Sequence, residues 1–204
     1  MTVAKRIKNN GSQTFDTMSN FKLFGLTFVC TITVVVGYFY LDHRRQVSQQ
    51  PTLTQLTDQV FLTSQLKPGN MRSLSQRQIK TVIDMRPDGE AVDQPTSEQM
   101  QRTARAVNME FHYIPVPHES IPDEAVDSLH AVLKDNQEPM VLYCRTGRRA
   151  ARLYALAEAS LSGGPNADDI LARVRAAGFD AEDLARDITR RIASRGKTQP
   201  GAKP

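Results

Sequence analysis

The sequence predicts an α/β domain, a mainly parallel sheet flanked by helices, preceded by one N-terminal transmembrane helix. Three observations carry this. From Val60 onward, short apolar runs alternate with stretches of helical period, the pattern of parallel strands joined by crossover helices. One such run, Met140 to Tyr143, delivers Cys144 into a glycine-containing turn, and a helix follows at once. Residues 23–41, LFGLTFVCTITVVVGYFYL, hold nineteen positions without a charge. At about 1.5 Å per residue this nearly matches a hydrocarbon core of roughly 30 Å.

The elements follow in chain order. Residues 1–20 are polar and irregular and read as a disordered flank. The span at 21–41 has Phe21, Tyr38, Phe39 and Tyr40 near its ends, where aromatic rings favour the membrane interface. A cleaved signal peptide would have a shorter apolar region and a small-residue cleavage site. Here the span runs into Tyr-Phe-Tyr-Leu-Asp-His-Arg-Arg, so the reading is an uncleaved signal anchor in a single-pass membrane protein. Lys5, Arg6, Lys8 and Lys22 precede it, against Arg44 and Arg45 after it. This asymmetry favours a cytoplasmic N-terminus, with the domain on the opposite side.

Residues 42–57 read as a linker, rich in Gln, Thr and Ser over 47–59. The domain itself is expected over 58–194. Strands are predicted at Val60-Phe61-Leu62 and Thr81 to Met85, with a helix around Gly69 to Gln78 between them. Ser97 to Asn108 is predicted helical, with Thr96 or Ser97 available as N-cap. Met109 to Val116 is a predicted strand, stopped by Pro115 and Pro117, and Pro122 to Asp135 is a helix with Val126, Leu129 and Leu133 at core spacing. Met140 to Tyr143 is the strand before Cys144, and Ala150 to Leu161 the helix after it. Ala167 to Ala177 and Ala181 to Ser194 are helices, the second striped by Leu184, Ile188 and Ile192. Residues 195–204 read as a frayed tail.

The segment Cys144-Arg145-Thr146-Gly147-Arg148-Arg149 carries the chemistry. A strand–turn–helix junction aims backbone N–H groups and a helix N-terminus at one spot before the sulfur, which binds anions. The same field favours the thiolate, the nucleophilic form of cysteine. Arg149 adds a planar fork suited to two oxygens of an oxyanion. An inert buried cysteine fits poorly beside three arginines in five residues. The only other cysteine, Cys30, lies in the predicted span, so Cys144 has no disulfide partner within the chain.

The formal net charge of +4 is spread along 204 residues, and no basic patch interleaved with aromatics marks a nucleic-acid binder. His43, His112, His118 and His130 show no metal-ligand spacing with one another or with a cysteine. No metal or cofactor is expected. Arg186, Arg190, Arg191 and Arg195 read as a solvated helix face, with a membrane-surface contact as the alternative.

Residues from about Asp58 to Ile188 resemble the phosphatase-like domain of the beta-lactamase hydrolase-like proteins. The matching pieces are VFLTSQL from Val60, VIDMRPDGE from Val82, Tyr113-Ile114-Pro115-Val116, Tyr143 to Ala150, and DILARVRAAGFD from Asp169. That family is related to dual-specificity and tyrosine phosphatases, and some members are labelled sulfurtransferases. The resemblance implies a cysteine-phosphatase-like fold, Cys144 as nucleophile, Arg149 as oxyanion clamp, and Arg145, Thr146, Gly147 and Arg148 as the oxyanion-binding loop. Its expected partner is an anionic substrate, either a phosphate ester or a sulfane-sulfur donor.

The chain departs from most cysteine phosphatases in three ways. Four residues, not five, separate Cys144 from Arg149, a shorter loop also used by rhodanese-type sulfurtransferases. Ala150 stands where a serine or threonine hydroxyl helps the cysteine leave. No aspartate marks the general acid plainly. His118 and Glu119 follow the Tyr113-to-Val116 segment, with Asp123 a little later, and Asp88 lies in a Pro-Asp-Gly turn. Each has an equally ready account as a solvated loop or turn residue. Three functions therefore stand: phosphatase through a cysteinyl-phosphate, sulfurtransferase through a Cys144 persulfide, or an anion-binding module without turnover.

Overall fold

A computed structural model of the chain describes residues 31–38 and 50–195. The chain divides into two units, Met1–Ser48 and Gln49–Pro204. In the first, residues 31–38 lie in a helix, α1, with Ile32, Val34, Val35, Val36 and Tyr38 exposed. Among the described residues, no helix is long and apolar enough to cross a membrane. The flank at 1–20 and most of the span predicted over 23–41 lie outside the described residues.

The second unit is an α/β fold built on five strands: β1 (Thr54–Gln55), β2 (Val60–Thr63), β3 (Thr81–Asp84), β4 (Glu110–Tyr113) and β5 (Met140–Tyr143). They lie in the order β1-β2-β5-β3-β4. β5 pairs in parallel with both β2 and β3, and β3 with β4. The sheet is mixed because β1 pairs antiparallel with β2, Thr54 opposite Leu62. The linker predicted over 42–57 therefore includes a short strand at Thr54–Gln55, while its residues 42–49 lie outside the described residues. Leu56 is buried, and the Thr63 hydroxyl donates to Thr52 O over 2.8 Å, so these polar residues close a hairpin on the sheet edge.

β5 is central and buried on both faces. Met140 and Leu142 face one core with α4 (Asp123–Asp135), α5 (Arg148–Ala159), α6 (Ala167–Ala176) and α7 (Ala185–Ser194). Val141 and Tyr143 face the other, with α2 (Asn70–Gln76) and α3 (Ser97–Arg105). The alternation is the two-residue period of a strand. α5 is nearly all buried, and its alanines let neighbouring helices approach closely.

Three helices end sooner than the apolar period suggests, and for one reason. Gln78 (φ 62°), Asn108 (φ 56°) and Gly178 (φ 82°) adopt left-handed geometry. The residue after each donates back into the helix: Ile79 to Leu74 O, Met109 to Ala104 O and Phe179 to Val174 O. These six-to-one bonds satisfy orphan carbonyls and bring an apolar side chain back against the fold. Thr96 is the N-cap of α3, in a reciprocal capping box with Gln99. The strand predicted at Met109 to Val116 stops at Tyr113, although Ile114 and Val116 still donate to Asp84 O and Met85 O. The proline positions between and after them have no N–H to give.

The C-terminal region differs from the single predicted helix. A 3₁₀ turn, Glu182–Leu184, precedes α7, whose Ile188 is fully buried. Arg191 and Arg195 are not solvated. Arg191 pairs with Asp123. Arg195 donates to Ala159 O (2.7 Å), Gly164 O (2.8 Å) and Glu158 O (3.1 Å). Its guanidinium thus supplies donors to carbonyls at the end of α5 and in the loop after it, which a frayed tail would leave to water.

Candidate active site

Parallel strands bring their C-terminal ends to one edge, and ligand sites in open α/β sheets form there. The segments following β2, β3, β4 and β5 meet at this edge. Cys144, a free and buried cysteine, follows β5. The turn after it requires Gly147, whose φ is +90°, and a Cβ at that position would lie 2.8 Å from Phe179 Cζ. The Gly147 N–H donates to Cys144 Sγ over 3.2 Å.

Gly147 is also the N-cap of α5, which begins at Arg148, two residues earlier than its sequence suggested. The left-handed glycine completes the turn, so Arg148 and Arg149 already lie in the first helical turn, where backbone N–H groups lack intrahelical partners. Arg145, Thr146 and Arg148 are exposed. The carbonyl of Arg145 accepts from Gln65 N–H, tying the loop to the end of β2.

Arg149 is held by the segments after β3 and β4. Its Nη1 donates to Glu90 Oε1 and to Val116 O, both over 2.6 Å, and its Nη2 donates to Glu90 Oε2 over 2.8 Å. Three of five guanidinium N–H groups are so engaged, leaving Nε–H and one Nη2–H on a single edge as a two-donor fork. Glu90 is fixed in turn by Arg86 Nε (2.9 Å), and Arg86 Nη1 donates to Gln65 Oε1 (2.7 Å). A chain of polar side chains thus runs from Gln65 through Arg86 and Glu90 to Arg149.

The charges follow from these contacts. The Arg149 hydrogen bonds hold the Glu90 carboxyl down at about 2, with Arg86 adding to the effect against burial. Burial opposes the Arg149 charge, but Glu90 and the adjacent Cys144 outweigh it, and its pKa is raised. Asp84, the last residue of β3, is pushed up to about 6 by burial, a rise moderated by the Tyr143 hydroxyl and the Arg86 backbone N–H. Its Oδ1 accepts that N–H over 2.9 Å and turns the chain out of the strand.

The acid candidates are placed differently. Both Asp88 oxygens accept from Ser97, from its N–H (2.8 Å) and its hydroxyl (2.7 Å), which pins the loop after β3 to the start of α3. His118 is exposed on the loop after β4, with Nε2 3.6 Å from Glu90 Oε1. Glu119 is exposed on the same loop. Asp123 is held by Arg191. His118, Glu119, Arg149 and Arg152 share the lining of a cleft of about 320 Å³.

Glu90, Arg86, Gln65 and Phe179 were not singled out by the sequence reading. Glu90 had one available signal: it closes a Pro-Asp-Gly turn after a strand parallel to β5, and so at the edge where Cys144 must lie. The others depend on contacts between distant parts of the chain, Arg86 with Gln65 across 21 residues and Phe179 with the loop at Gly147.

This is a phosphatase-like α/β domain. The chain belongs to the family described as the phosphatase-like domain of beta-lactamase hydrolase-like protein, whose model matches residues 52–161, just over half of the sequence. Among relatives, the beta-lactamase hydrolase-like protein of Agrobacterium fabrum is 30% identical over 139 residues, covering 68% of this chain and 32% of its own length. That of Xylella fastidiosa (strain Temecula1) is 26% identical over 137 residues, covering 67% of this chain and 31% of its own. The chain thus spans about a third of the length of these curated relatives. Among solved structures, a candidate phosphatase from Neisseria meningitidis Z2491 superposes with a TM-score of 0.58 at 27% identity, covering 68% of this chain and 96% of that one.

Proposed function

We propose that this chain is a cysteine-dependent phosphatase acting through a cysteinyl-phosphate. One observation carries the reading: Cys144 Sγ, its bonded Gly147 N–H and the clamped Arg149 fork belong to one six-residue loop. The Cys144 thiolate attacks phosphorus, an S–P bond forms, and the P–O bond to the leaving group breaks. The loop amides and the free edge of Arg149 hold the equatorial oxygens. Water then attacks phosphorus and gives a proton to His118, which has lost one in the first step, while the S–P bond breaks, phosphate departs and the thiolate returns. His118 donates the proton to the leaving oxygen. It stands beside Glu90 at the cleft, whereas Ser97 occupies both oxygens of Asp88.

Full-length protein assayed with phenyl phosphate should show turnover that Cys144→Ser abolishes. Turnover surviving that substitution would sink the mechanism.

Ala150 favours a second reading, sulfur transfer through a Cys144 persulfide, because it supplies no hydroxyl to help a cysteinyl-phosphate break down. Thiosulfate with cyanide, run beside phenyl phosphate on the same preparation, separates the two. A persulfide mass shift on Cys144 without phosphatase turnover would reverse their order. Phosphate-induced thermal stabilisation with neither turnover would leave an anion-binding module.

The proposal includes placement: an uncleaved anchor over 23–41, with the domain on the side opposite the cytoplasm. Support comes from the charge-free run and the basic residues preceding it. Reporters active on only one side, fused to the C-terminus, test the orientation, and a signal confined to the cytoplasm reverses it. Release of the domain as a shorter, soluble mature form would overturn the anchor.

A further inference from the structure

We infer that the cleft beside Arg149 binds a second phosphate group of a compact bisphosphorylated substrate, using Arg152 from α5 and Arg190 and Arg191 from α7. The inference rests on the phosphatase reading of Cys144 and Arg149 and adds a substrate class to it.

The cleft lies between the loop after β4, α5 and α7, and Arg149 belongs to both it and the cysteine loop. Arg152 stands three positions beyond Arg149, on the same face of α5 and one helical turn further on. Its Nη1 and Nη2 pair with Asp183 Oδ1 (2.5 Å) and Oδ2 (2.7 Å). Arg191 pairs with Asp123, and Arg190 with Asp187 (2.8 Å).

The two sides of these pairs differ in exposure. The side chains of Arg152 and Arg191 are 18% and 17% exposed, whereas their partners Asp183 and Asp123 are 64% and 83% exposed. Packing therefore fixes the Arg152 and Arg191 guanidinium groups, while the carboxylates beside them stand in water and can turn away. Arg190, 71% exposed against 42% for Asp187, stands in water at the rim of the cleft. A phosphate monoester brings nearly two charges and three acceptor oxygens, and a preset arginine fork suits it better than a solvated carboxylate.

The lining has two further properties. Glu119, Asp123 and Asp187 bring it close to charge balance, which disfavours indiscriminate anion capture and favours a ligand able to replace a carboxylate. Ile121, Leu156 and Leu184 give it an apolar wall, against which a small ring can lie between two phosphates. A volume of about 320 Å³ is at the lower end for ligand sites, and suits a ring with one phosphate.

The test is calorimetric titration of the full-length Cys144→Ser protein with phenyl phosphate and with 1,4-phenylene bisphosphate. The bisphosphate should bind about tenfold tighter. Adding Arg152→Gln and Arg190→Gln should remove most of that advantage and leave phenyl phosphate within about twofold, with far-ultraviolet circular dichroism unchanged. Equal affinities in the Cys144→Ser protein, or an advantage that survives the two arginine substitutions, would overturn the inference. Wild-type turnover of phenyl phosphate reports the phosphatase reading separately. Turnover with equal affinities defeats only the second-phosphate site, and absence of both binding and turnover defeats both.

Discussion

Glu90 grips Arg149 end-on, with Oε1 2.6 Å from Nη1 and Oε2 2.8 Å from Nη2. The pairing fixes the plane of the guanidinium and leaves Nε–H and one Nη2–H on a single edge, the edge that the proposed mechanism uses to hold phosphoryl oxygens. Glu90→Gln keeps the size and one acceptor but removes the charge and the two-point grip. A slackened fork costs about 10²-fold where geometry governs the rate. The expected result is that loss in kcat/KM for phenyl phosphate, most of it in kcat. Steady-state kinetics beside an unchanged circular dichroism spectrum would check it, and an effect confined to KM would assign Glu90 to substrate binding instead.

Glu90 also gives the fold an acid-sensitive limb. Its carboxyl is lowered from 4.5 to about 2, so the folded state binds fewer protons there than the unfolded chain. The stability this contributes is complete above about pH 4.5 and is lost as pH falls through about 2. Thermal melts of wild type and Glu90→Gln between pH 2 and 6 should converge towards the acid end. Parallel curves across that range would refute the linkage.

Gly147 and Phe179 are locked together. Any Cβ at Gly147 meets Phe179 Cζ at 2.8 Å, on a backbone with φ of +90°. Gly147→Ala should destabilise the domain by about 1–3 kcal/mol from backbone strain alone. It should also push the loop off Phe179 and weaken phosphate binding. Gly147→Ala with Phe179→Leu relieves the contact but not the strain, so the melting temperature should recover only in part. Full recovery would make the clash the whole cause.

How far the sequence could be read follows from the range of each interaction. Cys144, Gly147 and Arg149 lie within six positions, and their geometry is that of one strand, one turn and one helix start. The parallel strands were likewise legible, since their apolar runs are local. β1 was not, because Thr54 and Gln55 are polar and become a strand only by pairing with β2. The Schellman ends at Gln78 and Asn108 were hidden because neither is glycine. Arg195 shows the same limit from the other end of the chain. Nothing in its neighbours tells that carbonyls about 31 to 37 residues away will take its donors.

Asp84 gives stability a second pH dependence, of opposite sign. Its carboxyl is raised from 3.8 to about 6 by burial, so the folded state binds more protons there than the unfolded chain. Stability from this group is greatest below about pH 4 and falls as pH rises to about 6, above which the full cost of burying the charge is present. Asp84→Asn keeps an oxygen to accept the Arg86 N–H and removes the charge. It should raise stability at pH 7.5 by on the order of 2 kcal/mol, with the gain fading below pH 4. Denaturant melts at pH 4 and 7.5 measure this, and an equal change at both would show that packing, not charge, decides it.

Ala150 is the residue through which the two catalytic readings can be told apart by gain rather than loss. It is fully buried in the first turn of α5, directly after Arg149, the proposed oxyanion clamp. A serine there adds one hydroxyl beside the loop with almost no change in volume. In the phosphatase mechanism, breakdown of the cysteinyl-phosphate needs sulfur to depart as a thiolate, and a donor near Cys144 stabilises the charge developing on it. One hydrogen bond of about 1.4 kcal/mol made only in that transition state is tenfold in rate. Rapid-mixing measurements on wild type should therefore show a burst of phenol followed by slow turnover. Ala150→Ser should shrink the burst and raise the steady rate about tenfold. Discharge of a Cys144 persulfide to cyanide also breaks a bond to Cys144 Sγ and releases its thiolate, so a faster thiosulfate–cyanide turnover does not discriminate. The phenol burst, which needs a cysteinyl-phosphate, does. Absence of that burst in wild type, with no change in phenol release in Ala150→Ser, would count against the phosphatase reading.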